Sequence, residues 1–318
     1  MRNKTNKLQK FIGTVIMQSG LIFDIKRYAI NDGPGIRATI FLKGCPLHCA
    51  WCHNPESIST KIQKMYNRDK CIGCKACEDA CPEHACALTK EGIVTDLSLC
   101  TSCGDCAEVC PTLATEMSGR VVTVEEMVAE VEKERVFFDQ SGGGVTVSGG
   151  EPLLQSDFVC ALYDELGAGA IHRAVDTTGF TRTETLLEVA KRTDLFLYDL
   201  KMMDSERHKK WTGVPNEQIL KNLKTLAETG ADINIRIPLI KGVNADDANI
   251  EQSANFIAGL PGVRPKVNIL PYHNIMAGKY LRLGEAFDST GLEEPDEAMQ
   301  ERVLDQFRAV GLKAMIGG

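Results

Sequence analysis

Cysteine spacing constrains this chain more than any other feature. Of 13 cysteines in 318 residues, eleven fall into three tight groups, and Cys86 and Cys160 stand apart. Cys45, Cys49 and Cys52 form a CxxxCxxC loop directly after an apolar run at 38–42. Cys71, Cys74, Cys77 and Cys81, followed by Pro82, form CxxCxxCxxxCP, and Cys100, Cys103, Cys106 and Cys110, followed by Pro111, repeat it. The N-terminus carries Arg2, Lys4, Lys7 and Lys10 but no proper signal peptide, because the apolar piece at 11–17 is short and broken by Gly13 and Thr14. No run approaches the roughly 18 apolar residues of a membrane span. The expected compartment is the cytoplasm, where thiols stay reduced, so metal clusters rather than disulfides account for the spacing.

Three thiolates hold three irons of a [4Fe-4S] cube, whose usual protein ligation takes four. The iron left open can bind a substrate directly, which separates a catalytic cluster from an electron wire. A zinc site completed by His48 or His53 is the competing reading of the first group. The other two groups have the pattern of bacterial two-cluster ferredoxins, in which the fourth cysteine of each run crosses to the other cluster. On that pattern one [4Fe-4S] cluster takes Cys71, Cys74, Cys77 and Cys110, and the other Cys100, Cys103, Cys106 and Cys81. Two structural zinc sites are the alternative. Full ligation suits electron transfer rather than substrate binding. Cys86 has no place in either set, and Cys160 lies on a helical face.

Outside 66–116, short β-branched apolar runs alternate with amphipathic segments, the signature of repeated βα units and a parallel sheet. Strands are expected at 38–42, 145–148, 172–176, 195–199, 233–238 and 266–270. Helices are expected at 124–137, with Met127, Val128, Val131 and Val136 on one face, and at 155–166, 183–191, 216–228, 246–257 and 296–310. The fold class is α/β, a partial (β/α)6 barrel of TIM type. Residues 1–18 read as a disordered extension with Met17 as an alternative start, 19–65 as the start of the barrel with the cluster loop, 66–116 as a ferredoxin-like insert, and 117–318 as the rest of the barrel. A net charge of −7 without a dense Lys/Arg patch argues against nucleic acid as partner.

The loop after the first parallel strand resembles the radical S-adenosylmethionine (SAM) superfamily, in which the methionine amino and carboxylate groups chelate the open iron and reductive cleavage yields a 5′-deoxyadenosyl radical. The run Asp32, Gly33, Pro34, Gly35, Ile36, Arg37 (DGPGIR) resembles the signature of the activating enzymes of glycyl-radical enzymes. Segments 176–180 (DTTGF), 199–204 (DLKMMD), 234–236 (NIR) and 270–273 (LPYH) match that family in the same order.

The resemblance implies an oxidoreductase that takes hydrogen from a backbone glycine of a partner glycyl-radical enzyme. It implies cofactor contacts by Trp51 near adenine, by Gly149, Gly150 and the Glu151 carboxylate at the amino group, by Arg236 at the carboxylate, and by Lys201 and His273 near the ribose. Asp176 is placed beside the cofactor, and with Thr177 and Asp199 around a monovalent cation. Asp32, Gly33, Pro34, Gly35 and Arg37 are placed at the partner. Flavodoxin or ferredoxin is the expected electron donor, and the chain is expected to be a monomer. The insert argues against pyruvate formate-lyase as partner. The rivals are a radical enzyme acting on a small molecule or a sulfatase side chain, and a ferredoxin-like electron carrier.

Overall fold

A computed structural model describes residues 18–317; the extension expected at 1–18 and the alternative start at Met17 lie outside them, apart from Gln18. The strands in chain order are β1 (Ser19–Ala29), β2 (Arg37–Leu42), β3 (Gln63–Tyr66), β4 (Cys86–Thr89), β5 (Gly92–Thr95), β6 (Thr115–Ser118), β7 (Arg120–Thr123), β8 (Gly144–Gly149), β9 (His172–Thr177), β10 (Leu195–Asp199), β11 (Ile233–Leu239), β12 (Lys266–Pro271) and β13 (Lys313–Ile316). Nine of them form one sheet in the order β13-β12-β11-β10-β9-β8-β2-β1-β7. From β2 to β13 every pairing is parallel, while β1 runs antiparallel to β2 and β7 antiparallel to β1. This is an α/β fold with a mostly parallel, open sheet.

The helices are α1 (Ala76–Asp79), α2 (Asp105–Glu108), α3 (Val124–Val131), α4 (Arg135–Ser141), α5 (Ser156–Ala168), α6 (Thr183–Ala190), α7 (Ser205–Thr212), α8 (Glu217–Glu228), α9 (Asp247–Ala258), α10 (Ala277–Arg282) and α11 (Glu297–Ala309). The crossover helices bury Leu162, Leu186, Leu223, Ile250 and Phe307 against Val147, Val175, Phe196, Ile235 and Ile269 of the strands. Each such side chain contributes about 1.5–3 kcal/mol when fully buried. Among the described residues no helix is long and apolar enough to cross a membrane.

The helix expected at 124–137 is broken. Its first part has a capping box, with Thr123 accepting from Glu126 N–H and Glu126 returning to Thr123 N–H. A 3-10 turn at Glu132–Glu134 then redirects the chain, so that Val136, expected inward, is 62% exposed and Phe138 is buried instead.

Residues 66–116 hang on a short antiparallel ladder, β3 with β6, which pairs Gln63 with Ser118 and Tyr66 with Thr115. Between its arms lie α1, the β4–β5 hairpin and α2. Arg282 of α10 is paired with Glu116 of β6, tying this segment to the C-terminal part of the chain.

Candidate active site

Parallel strands bring their carboxyl ends to one rim, where ligands of such folds bind. Here that rim surrounds a cavity of about 280 Å³. β2 leads into Cys45, Cys49 and Cys52; β8 contributes Gly149 and the following Gly150, β9 Asp176, β10 Asp199 and, beyond its end, Lys201, β11 Arg236, and β12 Leu270. Strand register sets these neighbours, since Leu42 pairs with Gly149 and Asp199 with Arg236.

The cysteine loop is held by backbone, not by its thiols. Gly44 N–H donates to Ser57 O (2.7 Å), Cys45 N–H to Ile58 O (3.0 Å), His48 N–H to Thr212 O (2.7 Å) and Ala50 N–H to Trp211 O (3.0 Å). The last two acceptors end α7, which sequence reading missed because its run SERHKKWT is polar almost throughout. Gln155 supports the loop from below, its Nε2 donating to Lys43 O at 2.8 Å. Gly149 has φ +110, and a Cβ there or on Gly150 would overlap the backbone of Leu42 or Gly44. That close approach lets Gly150 N–H donate to Leu42 O and Glu151 N–H to Gly44 O.

All three cysteines are half-buried and line the cavity. Burial pushes the Cys52 thiol up to about 12 and raises Cys45 and Cys49 as well. Among the described residues no three His, Cys, Asp or Glu side chains close on a point that would hold a single metal ion; a four-iron cube takes its thiolates across a wider span.

Opposite the thiols lies a charged wall. Lys201 Nζ is 2.6 Å from Asp199 Oδ2; burial opposes its charge, but Asp199 and Cys49 hold its pKa above the usual lysine value. Arg236 Nη1 is 3.3 Å from Asp176 Oδ2 and 3.9 Å from Asp32 Oδ1. Asp176 also accepts from Ser148 Oγ at 2.7 Å, and burial pushes it up to about 6 against the pull of Arg236. Arg236 Nε and Nη1 have no hydrogen-bond partner although both atoms are buried. Nη1 is ion-paired with Asp176 and Asp32, which leaves Nε as the donor without a partner; unpartnered buried donors are costly, and a carboxylate suits such a guanidinium. Trp51 is buried against Met202, Ile240, Tyr272 and Met276 and forms an apolar side of the cavity.

Several expected residues lie differently. The Glu151 carboxylate is fully buried and accepts from Thr177 Oγ1 (2.6 Å), Thr178 N–H (2.8 Å), Thr178 Oγ1 (2.5 Å) and Leu153 N–H (3.1 Å). It joins the ends of β8 and β9 instead of facing the cavity, and it occupies the Thr177 hydroxyl expected at a cation. Asp176 and Asp199 already face Arg236 and Lys201. His273 points outward, its side chain 60% exposed beside Glu294, while the preceding Tyr272 is buried and lines the cavity. Arg37 is wholly buried: its guanidinium donates to Thr146 Oγ1 (2.7 Å), Val145 O (2.7 Å) and Pro34 O (3.1 Å). It braces the DGPGIR turn from within and has no surface to offer a partner. Gly35, at φ +67, packs so closely on Gly143 that a Cβ on either would overlap backbone. Asp32 reaches inward to Thr39 Oγ1 (2.7 Å), and Pro34 is exposed.

In the 66–116 segment two small cavities are lined by cysteines. One takes Cys71, Cys74, Cys77 and Cys110, the other Cys81, Cys100, Cys103 and Cys106 together with Cys86.

Three thiols share a cavity with the Arg236 guanidinium at the rim of a parallel sheet, an arrangement suited to an iron–sulfur enzyme with an anionic cosubstrate. The model of the radical SAM superfamily matches residues 39–257. The chain is 44% identical over 299 residues to the trans-4-hydroxy-L-proline dehydratase activating enzyme of Clostridioides difficile, across 94% of this chain and 99% of that protein. It is 38% identical over 307 residues to the (2S)-3-sulfopropanediol dehydratase activating enzyme of Klebsiella oxytoca, across 94% and 97%. The crystal structure of Streptococcus suis SuiB bound to precursor peptide SuiA shares 15% identity over 86% of this chain and 46% of that one, with a TM-score of 0.51, a likeness of fold alone. The chain belongs to the radical SAM superfamily and, within it, to the activating enzymes of glycyl-radical enzymes.

Proposed function

We propose that this chain removes a hydrogen atom from a backbone glycine of a partner glycyl-radical enzyme, using SAM as the source of the radical and three [4Fe-4S] clusters. The observation that carries this reading is the cavity shared by Cys45, Cys49, Cys52 and the Arg236 guanidinium, whose Nε has no hydrogen-bond partner. The cluster that Cys45, Cys49 and Cys52 would hold would supply the electron for reductive cleavage of SAM, the chemistry that makes a hydrogen-abstracting radical available beside the partner's glycine. The protein's own part is orientation and exclusion of other hydrogen donors.

Cys45, Cys49 and Cys52 would hold the site cluster, and Arg236 would receive the methionine carboxylate. The Lys201–Asp199 pair fixes charge beside it, while Trp51 and Tyr272 keep that side of the cavity apolar. No side-chain acid or base is required, because a hydrogen atom rather than a proton moves. Cys71, Cys74, Cys77 and Cys110, and Cys81, Cys100, Cys103 and Cys106, would hold two closed clusters; the crossed grouping of these thiols in two cavities supports that ligation. Flavodoxin or ferredoxin is the proposed donor, and the chain acts as a monomer. The relative at 44% identity is named for trans-4-hydroxy-L-proline dehydratase, so a dehydratase of that kind is the first partner to assay.

The anaerobically reconstituted chain should contain about twelve irons, as three four-iron clusters require, and should release methionine and 5′-deoxyadenosine on reduction. Iron analysis near four contradicts the two additional clusters. Twelve irons without SAM cleavage would favour an electron carrier.

A further inference from the structure

Cys86, outside every expected ligand set, opens β4, is buried, and lines the cavity of Cys81, Cys100, Cys103 and Cys106. Lys64 of β3 lines it too, with Nζ 3.0 Å from Cys86 Sγ and 2.8 Å from Thr95 Oγ1. This ammonium is half-buried and pinned by two partners. The sister cavity differs: its own lysine, Lys75, is exposed, where water screens the charge, and Lys64 acts on its Cys77 less than on Cys106.

Reduction adds one negative charge to a cluster, and cluster potential depends on net charge and on polar contacts near the sulfurs. A cation fixed in a poorly solvated wall therefore favours the reduced form. Resting on the cluster reading above, we propose that Lys64 is a positioning residue whose ammonium, pinned by Cys86 and Thr95, raises the reduction potential of the cluster held by Cys81, Cys100, Cys103 and Cys106 above that of its companion. The two cavities follow one another along the β3–β6 ladder, Lys64 and Met117 lining this one and Tyr66 and Thr115 the other. Gln63, next to Lys64, accepts from Lys43 Nζ at 3.1 Å, two residues before Cys45. The cluster of higher potential is thus the one on the barrel side of the ladder, and the asymmetry gives electrons a direction toward the cleavage site.

The test is an EPR-monitored redox titration of the reconstituted full chain with dithionite as reductant. Lys64→Met should disfavour reduction of one insert cluster about tenfold, a downward shift of about 59 mV for a one-electron couple. Lys64→Arg should keep the wild-type value, and Cys86→Ala, which frees the ammonium, should give a smaller downward shift with iron content unchanged. A Lys64→Met titration that superimposes on the wild type overturns the proposal. So does loss of about four irons in Cys86→Ala, which would make Cys86 a ligand. If the wild-type chain lacks the irons of the insert, the cluster reading and this proposal fall together; if the irons are present and the potential does not move, this proposal alone falls.

Discussion

Replacing any one of Cys45, Cys49 or Cys52 by Ala is expected to abolish reductive cleavage of SAM while leaving the fold and the other clusters in place. The thiols contribute little to the loop's conformation, which rests on backbone hydrogen bonds to Ser57, Ile58, Trp211 and Thr212. Alanine keeps all of these. What it removes is a third anchor from a cube that has no protein ligand to spare, because the fourth iron must stay open for the cosubstrate. Iron content should fall from about twelve to about eight, with far-ultraviolet circular dichroism unchanged. Cleavage that survives in all three variants would place the chemistry elsewhere.

Arg236→Lys is expected to weaken SAM binding about tenfold to a hundredfold, since a hydrogen bond to a charged group is worth about 1.5–3 kcal/mol and 1.4 kcal/mol is a factor of ten. Lysine keeps the charge but loses the planar fork that holds a carboxylate. Isothermal titration of the reconstituted protein reads the effect directly, and affinity within twofold of wild type would contradict the role given to this guanidinium.

Arg236→Leu separates binding from stability. It leaves Asp176 and Asp32 without their cation, and removing one partner of a buried pair costs about 3–5 kcal/mol. Burial already pushes Asp176 up to about 6. Without Arg236 its value rises further. A carboxyl whose folded value lies above its unfolded one contributes stability at low pH that is lost as pH rises. Arg236→Leu should therefore lose most stability above about pH 6 and recover toward pH 4, in the window set by the raised Asp176 value.

The parallel core was readable because its strands are short β-branched runs bounded by glycine or aspartate. The run 145–148 became β8 and 195–199 became β10 with shifts of at most one residue. β1 was not readable, because Asp24, Lys26 and Arg27 interrupt its apolar pattern, and β13 is a four-residue edge strand. At the site, residue type and order identified the thiols, Lys201, Arg236 and Trp51, which line one cavity. Orientation was not encoded in the motif. Glu151 turned inward because Thr177, Thr178 and Leu153 offer it four donors, and Tyr272 took the cavity position expected of His273 because the apolar cluster around Trp51 has room for a ring. Thr178 also lines the cavity and carried no signal beyond its neighbours.

The most direct measurement supplies the reconstituted chain with SAM, a reductant and a hydroxyproline dehydratase whose glycines carry deuterium at Cα. The account predicts deuterium in 5′-deoxyadenosine and a glycyl-radical signal on the partner. Cleavage without deuterium transfer and without that signal, on a partner that its own activating enzyme converts, would contradict it for that partner; the same outcome across glycyl-radical enzymes of every class would contradict it altogether.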